Sequence, residues 1–294
     1  MFPAAFDYVP AHSRDEAFAA LTTHGGDARV LAGGQSLIPA MRFRLARPAV
    51  LVDINGIADL AYIEEREGEL RLGAGARDQA LEFSSYISSG GYPMLADVCR
   101  VVADPVVRQM GTVVGSLCHN DPSGDWPVAA LAANASVVVR GKGGERVIPI
   151  AEFVVDSFTT AVGDGEMALE VRFPTPGPRT AGAYMKIERK VGDFATAAAA
   201  ARLTLADDGT IASAAISLGA AGPCAFRVTA AEQALTGAKP SGAAIAAAVA
   251  AVHDAADPVA DTRGTVAFKK QMAAVLVERA LRKAFERLGL EEVR

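Results

Sequence analysis

Gly111-Thr112-Val113-Val114-Gly115-Ser116-Leu117-Cys118-His119-Asn120-Asp121-Pro122-Ser123-Gly124-Asp125-Trp126-Pro127 is dense in glycines, small hydroxyls and carboxylates, in a chain whose polar residues are otherwise spread thinly. Such a run marks a ligand site, because glycine lets backbone N–H groups be approached closely and short polar side chains fix the turn. His119, Asp121 and Ser123 carry the residue types of a hydrolytic triad. They alternate along one segment, whereas triad members converge from separate elements, so nucleophilic catalysis is set aside. Read locally, the segment is a loop with an Asx-type turn capping a helix that starts near Trp126.

About eighty positions upstream, Ala32-Gly33-Gly34-Gln35-Ser36 joins an apolar strand to a helix-like segment. Adjacent glycines allow backbone amides to turn toward an anion with no Cβ in the way, a nest suited to phosphate or pyrophosphate; the bland alternative is a tight turn. A third run, Gly73-Ala74-Gly75-Ala76-Arg77-Asp78, opens like a dinucleotide fingerprint. Asp78 stands where a small residue must let helix approach strand, and the surroundings do not alternate βαβ, so this run reads as a strand end turning into an Asp-capped helix. No G-x-x-x-x-G-K-[ST] occurs, which leaves a P-loop unsupported.

Outward from these loops the pattern predicts a small α/β unit, then a mixed α+β body, then a third region. Ser13-Arg14-Asp15-Glu16 is a capping box opening a helix that runs to Gly25-Gly26, and strands follow at 29–32 and 49–54 with a Pro39-interrupted segment between them. Strands are predicted at 62–64 and 69–72, helices over 78–88 and 94–103, and a hairpin at 136–140 and 146–150 turning on Gly141-Lys142-Gly143-Gly144. Phe173-Pro174-Thr175-Pro176-Gly177-Pro178 stops helix and central strand alike, which places a boundary there. Beyond it, strands over 195–205 and 211–219 flank Asp207-Asp208-Gly209, and helices follow at 228–235 and 241–254. A last helix over 265–288 carries Phe268, Met272, Leu276, Ala280 and Ala284 on one core-facing stripe.

Of the 294 residues, 51% are hydrophobic and 21% charged, and the net charge is −5. That balance is globular and too acidic for a nucleic-acid binder or for adhesion to an anionic membrane. No apolar stretch approaches the roughly 20 residues of a membrane span, and the first ten residues have no basic region ahead of an apolar core, so a cytoplasmic location is expected. Cys99, Cys118 and Cys224 never form C-x-x-C and the four histidines are dispersed, so no metal or iron–sulfur site is expected on this chain.

Taken together, the two glycine loops resemble those of the FAD-binding medium subunits of the molybdenum hydroxylases, the family of aerobic carbon monoxide dehydrogenase and xanthine dehydrogenase. The resemblance continues through Tyr184-Met185-Lys186-Ile187-Glu188-Arg189-Lys190-Val191-Gly192-Asp193-Phe194-Ala195 and Leu218-Gly219-Ala220-Ala221-Gly222, and covers essentially the whole chain. It implies an α+β, PCMH-type FAD-binding fold over 1–175, with α/β subdomains of about 1–55 and 56–175, followed by a C-terminal antiparallel sheet with helices over 176–294. It further implies an oxidoreductase subunit with non-covalent FAD. Ala32, Gly33, Gly34, Gln35 and Ser36, with Thr112, Val113, Val114, Gly115 and Ser116, would hold the pyrophosphate. Asp121 and Asp125 would lie near the ribityl hydroxyls, and Lys186 and Phe194 near the flavin ring. By the same resemblance the molybdenum cofactor and [2Fe–2S] clusters belong to a large and a small partner subunit in a dimer of heterotrimers, and no residue here is catalytic toward the organic or CO substrate. Val114 stands where the family commonly has glycine, and a positive φ there would be costly for valine. That departure motivates the alternative of a flavin-free interaction subunit; a stand-alone flavin reductase is the other.

Overall fold

The computed structural model describes residues 2–290. Strand β1 (Asp7–Pro10), helix α1 (Arg14–His24), β2 (Ala28–Leu31), α2 (Leu37–Arg42) and β3 (Val50–Asp53) make a parallel sheet of order β1-β3-β2. Val50, Leu51 and Val52 are all buried, as an unbroken apolar run in a central parallel strand should be. The edge strand β1 escaped the sequence reading because it is short and mostly exposed, with no apolar run to betray it. The capping box forms with one change. Ser13 Oγ accepts from the Glu16 N–H at 3.2 Å, while the Glu16 carboxylate accepts from the N–H of His12, one residue earlier than the motif predicts.

The middle region follows as β4 (Ile63–Arg66), β5 (Glu69–Gly73), α3 (Asp78–Glu82), α4 (Ser85–Ser88), α5 (Pro93–Val101), α6 (Pro105–Arg108), α7 (Val113–His119), α8 (Asp125–Ala133), β6 (Ser136–Gly141), β7 (Gly144–Pro149), α9 (Ile150–Phe153), β8 (Val154–Asp156), β9 (Thr159–Thr160) and β10 (Met167–Pro174). Its sheet has the order β4-β5-β10-β6-β7 and is antiparallel throughout. The helix expected over 78–88 is two helices, since Ser84 breaks the run and caps the second by accepting from the Ile87 N–H. Residues 113–119, expected as loop, are helix α7. Thr112 caps it, accepting from the Gly115 N–H at 3.1 Å, and Val113, Val114 and Leu117 are buried. The proline run ends a strand as expected: Pro174 closes β10, paired with Glu69.

The third region contains β11 (Thr180–Ile187), β12 (Ala197–Leu205), β13 (Ile211–Gly219), β14 (Phe226–Arg227), α10 (Thr229–Leu235), α11 (Gly242–Ala255) and α12 (Val266–Arg287), with the strands antiparallel in chain order. The alanine run of β12 lies between two cores. Ala198 and Ala200 join the core built around Trp126, Phe153 and Phe173, while Ala197, Ala199 and Ala201 join the core under α10, α11 and α12. Side chains alternate across a strand, so a sheet covered on both faces needs apolar residues at every position. Leu276, Ala280 and Ala284 are buried as the stripe predicts and Met272 is partly so, but Phe268 is 42% exposed. The buried place in that turn is taken by Lys269, whose Nζ pairs with Asp261 at 2.9 Å. Asp97 of α5 fastens the third region to the middle one, accepting from Lys283 (2.8 Å), from Arg287 (2.7 Å) and from the Tyr184 N–H (3.2 Å).

Candidate cofactor site

The two glycine loops meet. A Cβ built on Gly33 would lie 2.2 Å from the Met110 carbonyl oxygen and 2.9 Å from Gly111 Cα, so only glycine permits this contact. Gly34 has φ +71°, a left-handed backbone that L side chains rarely adopt. The third glycine run supplies the bracket between the loops. Arg77 Nη1 donates to the Met110 carbonyl and Nη2 to Asn55 Oδ1, each at 2.5 Å, and Asn55 Nδ2 donates to the Ala32 carbonyl at 2.9 Å. Sequence reasoning missed Arg77 and Asn55, which lie far from both loops in the chain. Gln35 folds back on its own loop, Nε2 to the Gly33 carbonyl at 3.1 Å.

Among the described residues, the N–H groups of Gly34, Gln35, Ser36, Val113 and Val114 meet no acceptor of the chain. Val113 and Val114 open α7 and Ser36 caps α2, where backbone donors lack intrahelical partners and carry partial positive charge; Gly34 and Gln35 lie in the loop just ahead of α2. Val114 has no positive φ and is buried in the first turn of α7. Valine therefore costs no backbone strain here, and the departure that motivated a flavin-free subunit loses its force. Gly115 keeps room for the cap, since a Cβ there would lie 2.6 Å from Thr112 Oγ1.

Beyond α7, Asn120 sits in the left-handed region, fully buried, with Nδ2 donating to the carbonyls of Asp156 (2.8 Å) and Thr159 (2.9 Å). It pins the β8–β9 hairpin, whose tip residue Phe158 has φ +53° and is 58% exposed, its ring 5.2 Å from that of His119. A bulky residue held at positive φ is characteristic of ligand sites, and no local pattern announced it. Asp121 Oδ1 accepts from the Ser123 N–H at 2.8 Å, which is the expected Asx turn, while Oδ2 lies 3.8 Å from His119 Nε2. Burial lowers the His119 pKa, outweighing the raising effect of Asp121, so the imidazole is neutral near pH 7 and Oδ2 is open to a hydroxyl donor.

Asp125 and Lys186 are placed otherwise than their assignment to ribityl and ring implied. Both are buried, and Lys186 Nζ pairs with Asp125 Oδ2 (3.2 Å) and Glu188 Oε2 (3.0 Å) while donating to the Val101 carbonyl (3.0 Å). Tyr184 donates its hydroxyl to Asp125 Oδ1 at 2.5 Å. Both oxygens of Asp125 are engaged inside the protein, so this cluster supports the loop rather than facing a ligand. Phe194 is 46% exposed on the loop between β11 and β12, which rules out the core placement that an aromatic ahead of a strand would otherwise suggest.

Asp78 lies beneath the second loop. Its N–H donates to the Gly111 carbonyl at 2.9 Å and its Oδ1 accepts from Trp126 Nε1 at 2.9 Å. Burial pushes its carboxyl up to about 7, against the lowering effects of Trp126, Arg108 and Arg77 and with a small push from Asp125. A carboxyl with a folded pKa above its unfolded value stabilises most at low pH, and that contribution is lost as pH rises toward 7. Asp78→Asn keeps an acceptor for Trp126 and removes the cost. The variant is expected to match wild type below about pH 4 and to exceed it by about 4 kcal/mol at pH 8 in urea unfolding.

The model of the FAD binding domain in molybdopterin dehydrogenase matches residues 4–176. The chain belongs to this family. A second model, the CO dehydrogenase flavoprotein C-terminal domain, matches residues 182–284 of this family member. The flavoprotein is 37% identical to the 6-hydroxypseudooxynicotine dehydrogenase complex subunit alpha of Paenarthrobacter nicotinovorans, over 98% of this chain and 97% of that one. It is 36% identical to the carbon monoxide dehydrogenase medium chain of Hydrogenophaga pseudoflava, over 98% and 99%. A solved structure of carbon monoxide dehydrogenase from that organism, lacking the Mo-pyranopterin moiety of its molybdenum cofactor, contains a chain that superposes with a TM-score of 0.94 at 37% identity, over 98% of this chain and 99% of that one. Residues 4–176 are thus an FAD-binding domain, and the cradle fits its ligand: glycines where a Cβ would intrude and free amides for a pyrophosphate.

Proposed function

We propose that the chain is the FAD-carrying electron-transfer subunit of a cytoplasmic molybdenum hydroxylase, passing electrons from molybdenum and [2Fe–2S] partner subunits to an external acceptor. The observation that carries the reading is the contact of the two glycine loops through Gly33, with unpaired amides on both. Ala32, Gly33, Gly34, Gln35 and Ser36, together with Thr112, Val113, Val114, Gly115 and Ser116, hold the pyrophosphate, and the free Oδ2 of Asp121 takes a ribityl hydroxyl. Bound FAD supplies the redox chemistry; the chain's residues bind and orient it and limit access of water. Non-covalent attachment is part of the proposal; desolvation pushes the Cys118 thiol up to about 12, so this cysteine offers little thiolate to a flavin. The proposed division is a cofactor domain (1–175, with subdomains 1–55 and 56–175) and a C-terminal domain (176–294): the core under α10, α11 and α12 lies wholly within the second, whereas the other core draws residues from both, and the outermost residues lie outside those described.

The names of the relatives, a medium chain and one subunit of a complex, favour assembly with other chains, and the dispersed free cysteines of this one favour a relay whose clusters lie elsewhere. A dimer of heterotrimers with a large molybdenum-cofactor subunit and a small iron–sulfur subunit is the expected assembly. Native mass measurement on protein from its source tests it; a lone monomer turning over substrate at full rate would exclude it.

Phe194 is assigned to one face of the isoalloxazine, on its exposure at a loop edge beside the second loop, where the Ala195 N–H donates to the Ser123 carbonyl. Phe194→Ala is expected to change the flavin spectrum and speed its reoxidation by oxygen severalfold, with stability altered by no more than about 0.5 kcal/mol because the side chain is half exposed. An unchanged spectrum and unchanged kinetics in the FAD-loaded variant would withdraw the assignment.

A further inference from the structure

The segment that follows α2 presents two apolar side chains to solvent among exposed arginines. Phe43 is 69% and Leu45 83% exposed, with Arg42, Arg44 and Arg47 exposed around them. That presentation is built in. The Phe43 N–H donates to the Pro39 carbonyl (3.0 Å), Arg44 to Met41 (3.0 Å) and Leu45 to Ala40 (2.9 Å), and Arg44 holds φ +59°. Arg47 Nε donates to the Arg44 carbonyl at 3.2 Å, closing the turn. A backbone fixed in this way loses little freedom when something covers the side chains it carries.

The charge is as one-sided as the shape. Residues 36–52 hold three arginines and no carboxylate, in a chain of net charge −5. Among the described residues, no ion pair involves Arg42, Arg44 or Arg47. Strand β2 leads to the first glycine loop and α2 returns from it, so the segment lies at the end of the first sheet away from the cofactor cradle. Phe6, 40% exposed, adjoins it through the Asp7 N–H bonded to the Ala49 carbonyl.

We propose that residues 42–47 are a docking knob for a different subunit of the complex, one that offers an apolar pocket rimmed by carboxylates. The proposal rests on the reading of this chain as a subunit. Aromatic and arginine side chains are the residues that most often carry interface energy, and the three guanidiniums call for acidic partners. A second copy of this chain is a poor occupant, because a two-fold contact would set guanidinium against guanidinium. An anionic lipid surface is also poor, since three positive charges must hold an acidic protein there.

Phe43→p-benzoylphenylalanine, irradiated in the complex purified through a tag on this chain, is expected to cross-link to a different polypeptide at an acidic peptide. Phe43→Asp/Leu45→Asp is expected to lower the yield of complex at least tenfold, with the chain folded and its flavin retained. Arg42→Glu/Arg44→Glu should do the same and abolish the salt sensitivity of assembly. A cross-link to a second copy, no cross-link in the assembled complex, full assembly of the Asp variant, or binding of wild type alone to phosphatidylglycerol vesicles would each overturn the knob while leaving the subunit reading intact. A wild-type chain that purifies alone from its source would overturn both.

Discussion

Gly33→Val yields a folded chain that retains no FAD. The Cβ of any residue at this position falls 2.2 Å from a backbone carbonyl and 2.9 Å from Gly111 Cα, and neither atom belongs to a side chain that can swing away. The loops must separate, and the amides that each contributes no longer converge on one anion. Gly34 is a milder case: its positive φ strains any replacement, but the nearest atom to an added Cβ is the flexible Ile38 Cδ1 at 2.8 Å. Gly33→Val is expected to weaken FAD binding at least about 100-fold, or about 3 kcal/mol, with overpacking costing about 1–3 kcal/mol of stability. Gly143→Ala, at a position with nothing within 4 Å, is the matched control and should bind FAD as wild type does. Flavin content after gel filtration and fluorescence titration read the difference.

Lys186→Met is expected to be the most destabilising single change near the site. Its ammonium stands between buried Asp125 and partly buried Glu188, and removing it leaves two carboxylates close together with only the Tyr184 hydroxyl on Asp125 and the Gly192 N–H on Glu188 as compensation. Breaking such a pair from one side costs about 4 kcal/mol at pH 7. The loss should shrink as pH falls, because burial raises the Asp125 pKa and, without the opposing effect of the lysine, that carboxyl takes up a proton more readily. Lys186→Met/Asp125→Asn should recover much of the stability, and urea unfolding at pH 5 and pH 7.5 separates these outcomes. If Lys186 instead contacted the flavin ring, the single variant would be as stable as wild type and lose only flavin affinity.

What could be read from the sequence was whatever local pattern carries. The glycine loops, the β6–β7 hairpin, the capped helix α1 and most of the α12 stripe announce themselves through turn chemistry and periodicity within a few residues. What stayed hidden depends on partners distant in the chain. Arg77 and Asn55 matter only because folding brings Met110 and Ala32 to them. Asp125 and Lys186 resemble ligand-facing groups in a linear motif, and only packing shows that they face each other. Helix α7 was masked because its glycine and hydroxyl residues suit a loop equally well, and what decides for helix is the Thr112 cap with burial of Val113, Val114 and Leu117. That same helix removes the difficulty seen at Val114.

The central claim is that this chain carries FAD between its two glycine loops. Acid extraction of the purified complex, with identification and quantitation of the released flavin against this polypeptide, tests it most directly. One FAD per chain, fully released by acid, is the predicted result; FMN, a flavin that stays with the polypeptide, or no flavin in a correctly folded complex contradicts it.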